Sequence, residues 1–222
     1  MADLPDARRE PPHEPLLEPL RKPLHDNMHS HAADLQPSPW IQRFVDLVRP
    51  GEVLDLACGH GRHAMLFAGR GNPVLAVDRD AGVLALLAAR NIAHLQTQQV
   101  DLEAHAAPGP SWPFAAQRFA AVVVTNYLHR RLLPLIVDSL APGGVLLYET
   151  FAQGNQRFGK PSNPDFLLAP GELLTLASNS AMPLRVVAFE DGLRELPAPA
   201  MVQRICAIRS AGPAMPEILP RI

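Results

Sequence analysis

The feature that most constrains this chain is a short apolar run, Val53-Leu54-Asp55-Leu56-Ala57, that breaks into Gly59-His60-Gly61-Arg62-His63-Ala64. A run of that length suits a buried strand, and paired glycines let the backbone turn sharply before a helix starts. The helix would carry on through Ala64, Met65, Leu66 and Phe67. The alternation then repeats. Residues 74–77 read as a second strand, 81–90 as an alanine- and leucine-rich helix, 95–100 as a third strand and 106–113 as a loop. The continuous β-branched run at 119–124 reads as a fourth strand covered on both faces. A helix over 131–140, a Pro142-Gly143-Gly144 turn and a fifth strand at 145–150 follow. The last third holds a loop over 153–164, a helix near 170–178 and final strands near 184–189 and 202–208. Strands alternating with helices at this spacing predict an α/β fold: a doubly wound, mostly parallel seven-stranded sheet with helices on both faces.

Upstream of this pattern, a helix opens at Trp40, with Ser38 as its N-cap and Pro39 as its first residue, and ends before Pro50-Gly51. Before that, prolines recur too often for regular structure. The chain therefore divides into a proline-rich, disordered extension at 1–38, one folded domain at 39–210 and a flexible tail at 211–222. His13, His25, His29 and His31 are scattered through the extension without ligand spacing, and no metal site is assigned. A net charge of −2 argues against a generally basic nucleic-acid binder. No apolar run is long enough to span a bilayer, and the N-terminus lacks the apolar core of an export signal. Cys58 and Cys206 sit in apolar runs, the setting of buried thiols in a reducing, cytoplasmic compartment.

In a doubly wound sheet the ligand lies beyond the carboxyl ends of the strands. Positions of interest are therefore residues 55–61, Asp78, Asp101-Leu102, residues 125–129 and residues 149–151. Gly59 and Gly61 fit a turn that lets a nucleotide-like ligand approach the backbone. Asp78, closing the second strand, can accept both hydrogen bonds of a ribose diol. Asp101 offers an acceptor to an adenine amine. Asp55 separates the candidate ligands by charge, because a carboxylate there would repel a dinucleotide's pyrophosphate. It would attract the ammonium and sulfonium of S-adenosylmethionine.

These residues resemble the class I S-adenosylmethionine-dependent methyltransferases. The segment from Val53 to Gly61 looks like that family's first motif, Val77-Asp78 like its ribose-binding acid and Asp101-Leu102 like its adenine-contacting element. Val124-Thr125-Asn126-Tyr127-Leu128-His129 is similar to the fourth motif, at the methyl-transfer end. Leu140-Ala141-Pro142-Gly143-Gly144 is similar to the turn before the fifth strand. Within the family, the chain looks closest to small bacterial enzymes of the tellurite-resistance type. The resemblance implies a Rossmann-like methyltransferase fold and S-adenosylmethionine as cofactor. It assigns cofactor binding to Asp55, Gly59, Gly61, Asp78, Arg79, Asp101, Leu102 and Asn126, with Arg79 covering an adenine or ribose face.

Methyl transfer is an in-line displacement with a good leaving group, so positioning and water exclusion can supply much of the acceleration. If a base is used, His129 is the first choice, for its near-neutral titration and its place beyond the fourth strand. It could equally be a solvent-facing residue at a helix start. Tyr127 either lines the acceptor pocket or packs in the core. His60 and His63 read as surface or supporting groups. The glycine-punctuated loop 151–161 has the composition of an active-site lid, with Arg157 and Lys160 suited to an anionic acceptor. The fourth motif lacks paired prolines and no Pro-Cys nucleophile is present, which favours a small molecule or anion over DNA. Two rival readings remain: an NAD-dependent oxidoreductase on a related fold, and a non-catalytic S-adenosylmethionine-binding protein.

Overall fold

The computed structural model describes residues 36–104, 111–179 and 184–211. The expected extension up to residue 35 and the tail from 212 onward lie outside those residues. Seven strands form one sheet: β1 (Val53–Leu56), β2 (Val74–Asp78), β3 (Leu95–Gln99), β4 (Phe119–Thr125), β5 (Leu140–Phe151), β6 (Leu184–Arg194) and β7 (Ala200–Arg209). Their order is β3-β2-β1-β4-β5-β7-β6. The first five run parallel, and β7 is antiparallel to both β5 and β6.

The helices are α1 (Pro39–Phe44), α2 (Arg62–Gly69), α3 (Ala81–Ala88), α4 (Leu133–Asp138) and α5 (Glu172–Asn179). Every residue of β1 is buried because helices cover both faces of the sheet. Alternate residues feed two cores. Val53, Val123 and Leu147 pack with Trp40, Ile41 and Phe67 on one face. Leu54, Val122, Leu146 and Tyr148 pack with Leu132 and Ile136 on the other. This is why an apolar run rather than an alternating pattern marks the central strands.

Three differences from the sequence expectation have local causes. The helix expected over 131–140 becomes a 3-10 turn (Arg130–Leu132) and the short α4. The Ser139 carbonyl accepts the Arg118 and Phe119 amides and draws the chain into the sheet early. The expected Pro142-Gly143-Gly144 turn lies inside β5 as an irregularity: Phe119 pairs with Leu140, yet Ala121 pairs with Val145. Gly143 has φ +77 there, and a Cβ on Gly144 would meet the Ala141 and Phe119 carbonyls at 2.8 Å. Finally, β6 and β7 form a longer hairpin than expected, because the polar Glu190, Asp191 and Arg194 continue the exposed edge strand.

The chain leaves β1 toward β2 on one side and returns to place β4 on the other. A crevice therefore opens between the carboxyl ends of β1 and β4, where such sheets bind ligands.

Candidate functional site

The turn after β1 is built to expose backbone. Gly59 (φ +51) and Gly61 (φ +74) adopt left-handed conformations. Their surroundings differ. A Cβ on Gly59 would meet nothing within 4 Å, whereas one on Gly61 would strike Leu87 of α3 at 2.5 Å. Gly59 thus presents an open cradle, while Gly61 is a packing position where the turn abuts α3. Asp78 fixes the turn from the neighbouring strand, Oδ2 accepting the Gly59 amide at 2.9 Å and Oδ1 the Asp80 amide at 3.0 Å.

Asp55 is 1% exposed, and its Oδ2 accepts the Ala64 amide in the first turn of α2 at 2.8 Å. Burial pushes its pKa up to about 7 against the lowering effects of the Ala64 bond and Arg62, with Asp78 adding to the rise. Its observed bond is to the helix start, so any effect on a ligand's cation acts through space.

A first cavity lies beyond β2 and β3, lined by Ala57, Asp78, Arg79, Val100, Asp101, Leu102, Glu103 and Tyr127. A second lies over the ends of β4 and β5, lined by Arg79, Glu103, Asn126, Tyr127, Leu128, Thr150, Phe151, Pro161 and Phe166. Arg79, Glu103 and Tyr127 line both, so the two spaces adjoin. Arg79 and Glu103 pair at 3.7 Å. The Tyr127 hydroxyl is buried and meets no partner in good hydrogen-bond geometry among the described residues, although the Glu103 carboxylate lies close to it. Burial pushes its pKa well up and the neighbouring Glu103 carboxylate adds to the rise. A buried hydroxyl without a well-formed hydrogen bond at the junction of two cavities is what a ligand's polar atom would satisfy.

Of the residues predicted from sequence, the structure brings Asp78, Arg79, Asp101 and Leu102 around the first cavity and Asn126 and Tyr127 to the second. His129 is not among the residues lining either cavity. It precedes the Arg130–Leu132 turn, its Nδ1 buried and without a partner. Arg157 and Lys160 are exposed on the loop after β5, and the loop reaches the cavity through Pro161 and Phe166 instead. That loop is fastened rather than free. Asn155 is buried, its side chain donating to the Pro161 carbonyl at 3.0 Å and accepting the Met201 amide at 3.2 Å. Arg130 donates to the carbonyls of Asp165 (2.7 Å) and Leu167 (2.8 Å).

His63, read from sequence as a surface or supporting group, is 1% exposed. Its Nε2 accepts the Ser38 amide at 3.0 Å and its Nδ1 lies 3.4 Å from Thr125 Oγ1. Burial, aided by Arg62, lowers its pKa to about 3 and keeps it neutral. Sequence reasoning also missed Glu103, which belongs to no motif, and Phe166, whose place depends on how the loop folds back. No described helix is long and apolar enough to cross a membrane.

Comparison with known proteins bears on this geometry. Residues 53–144 match a family model described as a methyltransferase domain. The chain is 31% identical over 153 residues to trans-aconitate 2-methyltransferase of Methylobacterium nodulans. That match covers 66% of this chain and spans 56% of the relative's length. Among solved structures, an S-adenosylmethionine-dependent methyltransferase from Mesorhizobium loti superposes with a TM-score of 0.62 at 16% identity, covering 77% of this chain and 96% of that one. TehB from Haemophilus influenzae gives a TM-score of 0.60 at 18% identity, covering 78% and 63% respectively. At these identities the two structures speak for the fold alone, so the resemblance to tellurite-resistance enzymes rests on one structural neighbour among several of comparable similarity.

Proposed function

We propose that this chain is a class I S-adenosylmethionine-dependent methyltransferase that transfers a methyl group from S-adenosylmethionine to a small anionic acceptor. The observation that carries the reading is the adjoining of the two cavities at Arg79, Glu103 and Tyr127. A donor compartment and an acceptor compartment that share a wall allow a direct displacement between two bound reactants.

The first cavity suits the adenosine half of the donor. Asp78 offers carboxylate oxygens to a ribose diol, Asp101 an acceptor to an exocyclic amine, and Leu102 and Val100 apolar cover for a base. The open Gly59 cradle leaves room for the ligand to approach the turn amides. Asp55, beneath that turn, favours a cation above it. The bound sulfonium would supply an electrophilic methyl carbon and a neutral thioether leaving group. The chain's own contribution is to hold the two reactants in line and exclude water. Phe151, Pro161 and Phe166 form an apolar wall on the acceptor side.

An acceptor that attacks through an ionised oxygen needs no proton removed. That agrees with a site where Tyr127 resists ionisation and His129 lines neither cavity. The relative's name gives its acceptor as trans-aconitate, a small carboxylate-bearing molecule, which supports the same chemical class here. Arg79 is the cation best placed to meet such an acceptor, in place of Arg157 and Lys160. The free, buried thiols of Cys58 and Cys206 fit a cytoplasmic setting.

The test is calorimetric titration of the purified chain with S-adenosylmethionine, S-adenosylhomocysteine and NAD, followed by a screen of small carboxylates for release of S-adenosylhomocysteine. Micromolar binding of the first two ligands and turnover with a carboxylate are expected. Selective NAD binding would sink the reading in favour of an oxidoreductase. Donor binding with no turnover on any acceptor would favour a non-catalytic binding protein.

A further inference from the structure

Ser38 ties the start of α1 to both sides of the crevice. Its amide donates to His63 Nε2 at 3.0 Å, and its hydroxyl donates to Glu149 Oε2 at 2.9 Å. Glu149 is 3% exposed and precedes Thr150, which lines the second cavity. His63 in turn lies 3.4 Å from Thr125 Oγ1, one residue before the cavity-lining Asn126. Beside it, Arg62 reaches the Gln36 carbonyl at 3.4 Å, and the Ala64 amide holds Asp55. Residues 36–38 therefore bridge the gap between the glycine turn after β1 and the ends of β4 and β5.

The imidazole has a defined hydrogen-bonding state in this bridge. Because Nε2 accepts an N–H, its lone pair lies there, and the proton sits on Nδ1 facing the Thr125 hydroxyl. Protonating Nε2 would set two donors against each other, and burial disfavours that form. A neutral histidine can thus join three separate chain segments with no charge to solvate. Gly61, two residues before it, and Ala64, one residue after it, are both fixed by the turn. His63 thus links the start of α2, next to the glycine turn, directly to Ser38.

We infer that His63 is a positioning residue, which docks residues 36–38 against the helix that follows the glycine turn and against β5, so that donor binding and seating of α1 are coupled. The inference rests on the reading of the crevice as an S-adenosylmethionine site. It goes beyond that reading in giving a cofactor-linked role to a residue that lines neither cavity.

The experiment compares wild type with His63→Leu, His63→Gln and Thr125→Val in the full chain. Affinity for S-adenosylmethionine is measured by calorimetry. Amide exchange over residues 36–44 is followed with and without that ligand, and Tm is recorded for each variant. In wild type the ligand should slow exchange over 36–44. His63→Leu should bind at least tenfold more weakly and lose the ligand-induced slowing. His63→Gln, whose amide can accept from Ser38 and donate to Thr125, should recover to within about threefold of wild type. Thr125→Val keeps the fold if His63→Leu does not, and it should reduce the slowing over 36–44 although it touches neither end of that segment. Wild-type binding with unchanged affinity and unchanged slowing in the variants overturns the coupling. Failure of wild type to bind S-adenosylmethionine overturns the donor site itself, and the coupling with it.

Discussion

Asp78 accepts the Gly59 amide at 2.9 Å, so the acid that closes β2 also holds the glycine turn that follows β1. One side chain therefore shapes the turn and faces the cavity beside it. Asp78→Ala is expected to weaken S-adenosylmethionine binding by about 10- to 150-fold, the loss of one charge-assisted hydrogen bond at about 1.5–3 kcal/mol. Asp78→Asn, which keeps one acceptor for Gly59, should fall between and melt close to wild type. Calorimetry and thermal unfolding on the same samples separate the two roles. Equal affinity in all three proteins would remove Asp78 from the donor site.

The two glycines of the turn should respond differently to alanine. Gly61→Ala forces a Cβ against Leu87 at 2.5 Å with φ at +74, and should cost about 2–4 kcal/mol of stability through strain and overpacking. Gly59→Ala meets no protein atom, so its stability cost should be the left-handed penalty alone, about 1 kcal/mol. Its larger effect should be on ligand affinity, since the methyl group projects into the open cradle. Denaturant melts paired with donor titrations check both. Loss of binding in Gly61→Ala at unchanged stability would contradict the assignment.

How much of this was legible in the sequence follows from which interactions are local. The strand, the glycine turn and Asp78 are read directly because each is short and set by backbone sterics. The fourth strand could be read as covered on both faces because such burial leaves an apolar run, whereas the strand order could not be read. The limits of α4 and β5 could not be read, since they depend on the Ser139 carbonyl accepting amides from residues 118 and 119. Which of the two readings of His63 holds, surface or supporting, could not be told from sequence for a related reason. It stands beside the charged Arg62 in a polar turn, and the Ser38 amide, 25 positions earlier, is what it accepts once buried. Glu103 and Phe166 reach the cavities through loops whose path no periodicity encodes.

Asp55 gives the site a pH dependence with a definite sign. Its folded pKa, about 7, lies above its unfolded value, 3.8. The folded state therefore favours the protonated acid, and the associated stability is fully present below about pH 4 and is lost as pH rises toward 7. Binding has the opposite slope. A cationic ligand end favours the carboxylate, so donor affinity should fall as pH drops below 7, by at most about tenfold per unit, with a proton released on binding. Calorimetry in buffers of different ionisation enthalpy measures that proton. Asp55→Asn should bind more weakly at pH 8 and show a flat profile. A wild-type profile flat between pH 5.5 and 8 would mean that Asp55 does not sense the ligand.

Tyr127 provides the last test, because its hydroxyl is buried without a well-formed hydrogen bond where the two cavities meet. Removing an unsatisfied buried hydroxyl should leave the free protein as stable as wild type or stabilise it by up to about 1 kcal/mol. A ligand that satisfies the hydroxyl would lose one neutral hydrogen bond, about 0.5–1.5 kcal/mol, or roughly 2- to 12-fold in affinity or in kcat/KM. Tyr127→Phe should therefore raise or preserve Tm while lowering ligand affinity or turnover, a combination that a purely structural tyrosine would not produce. The Tyr148 hydroxyl donates to the Tyr127 backbone carbonyl at 2.9 Å and holds the residue in place in either variant, so the ring should not move. A split between binding of S-adenosylhomocysteine and KM for the acceptor then tells which compartment the hydroxyl serves. Unchanged values for both would return Tyr127 to the core as a packing residue.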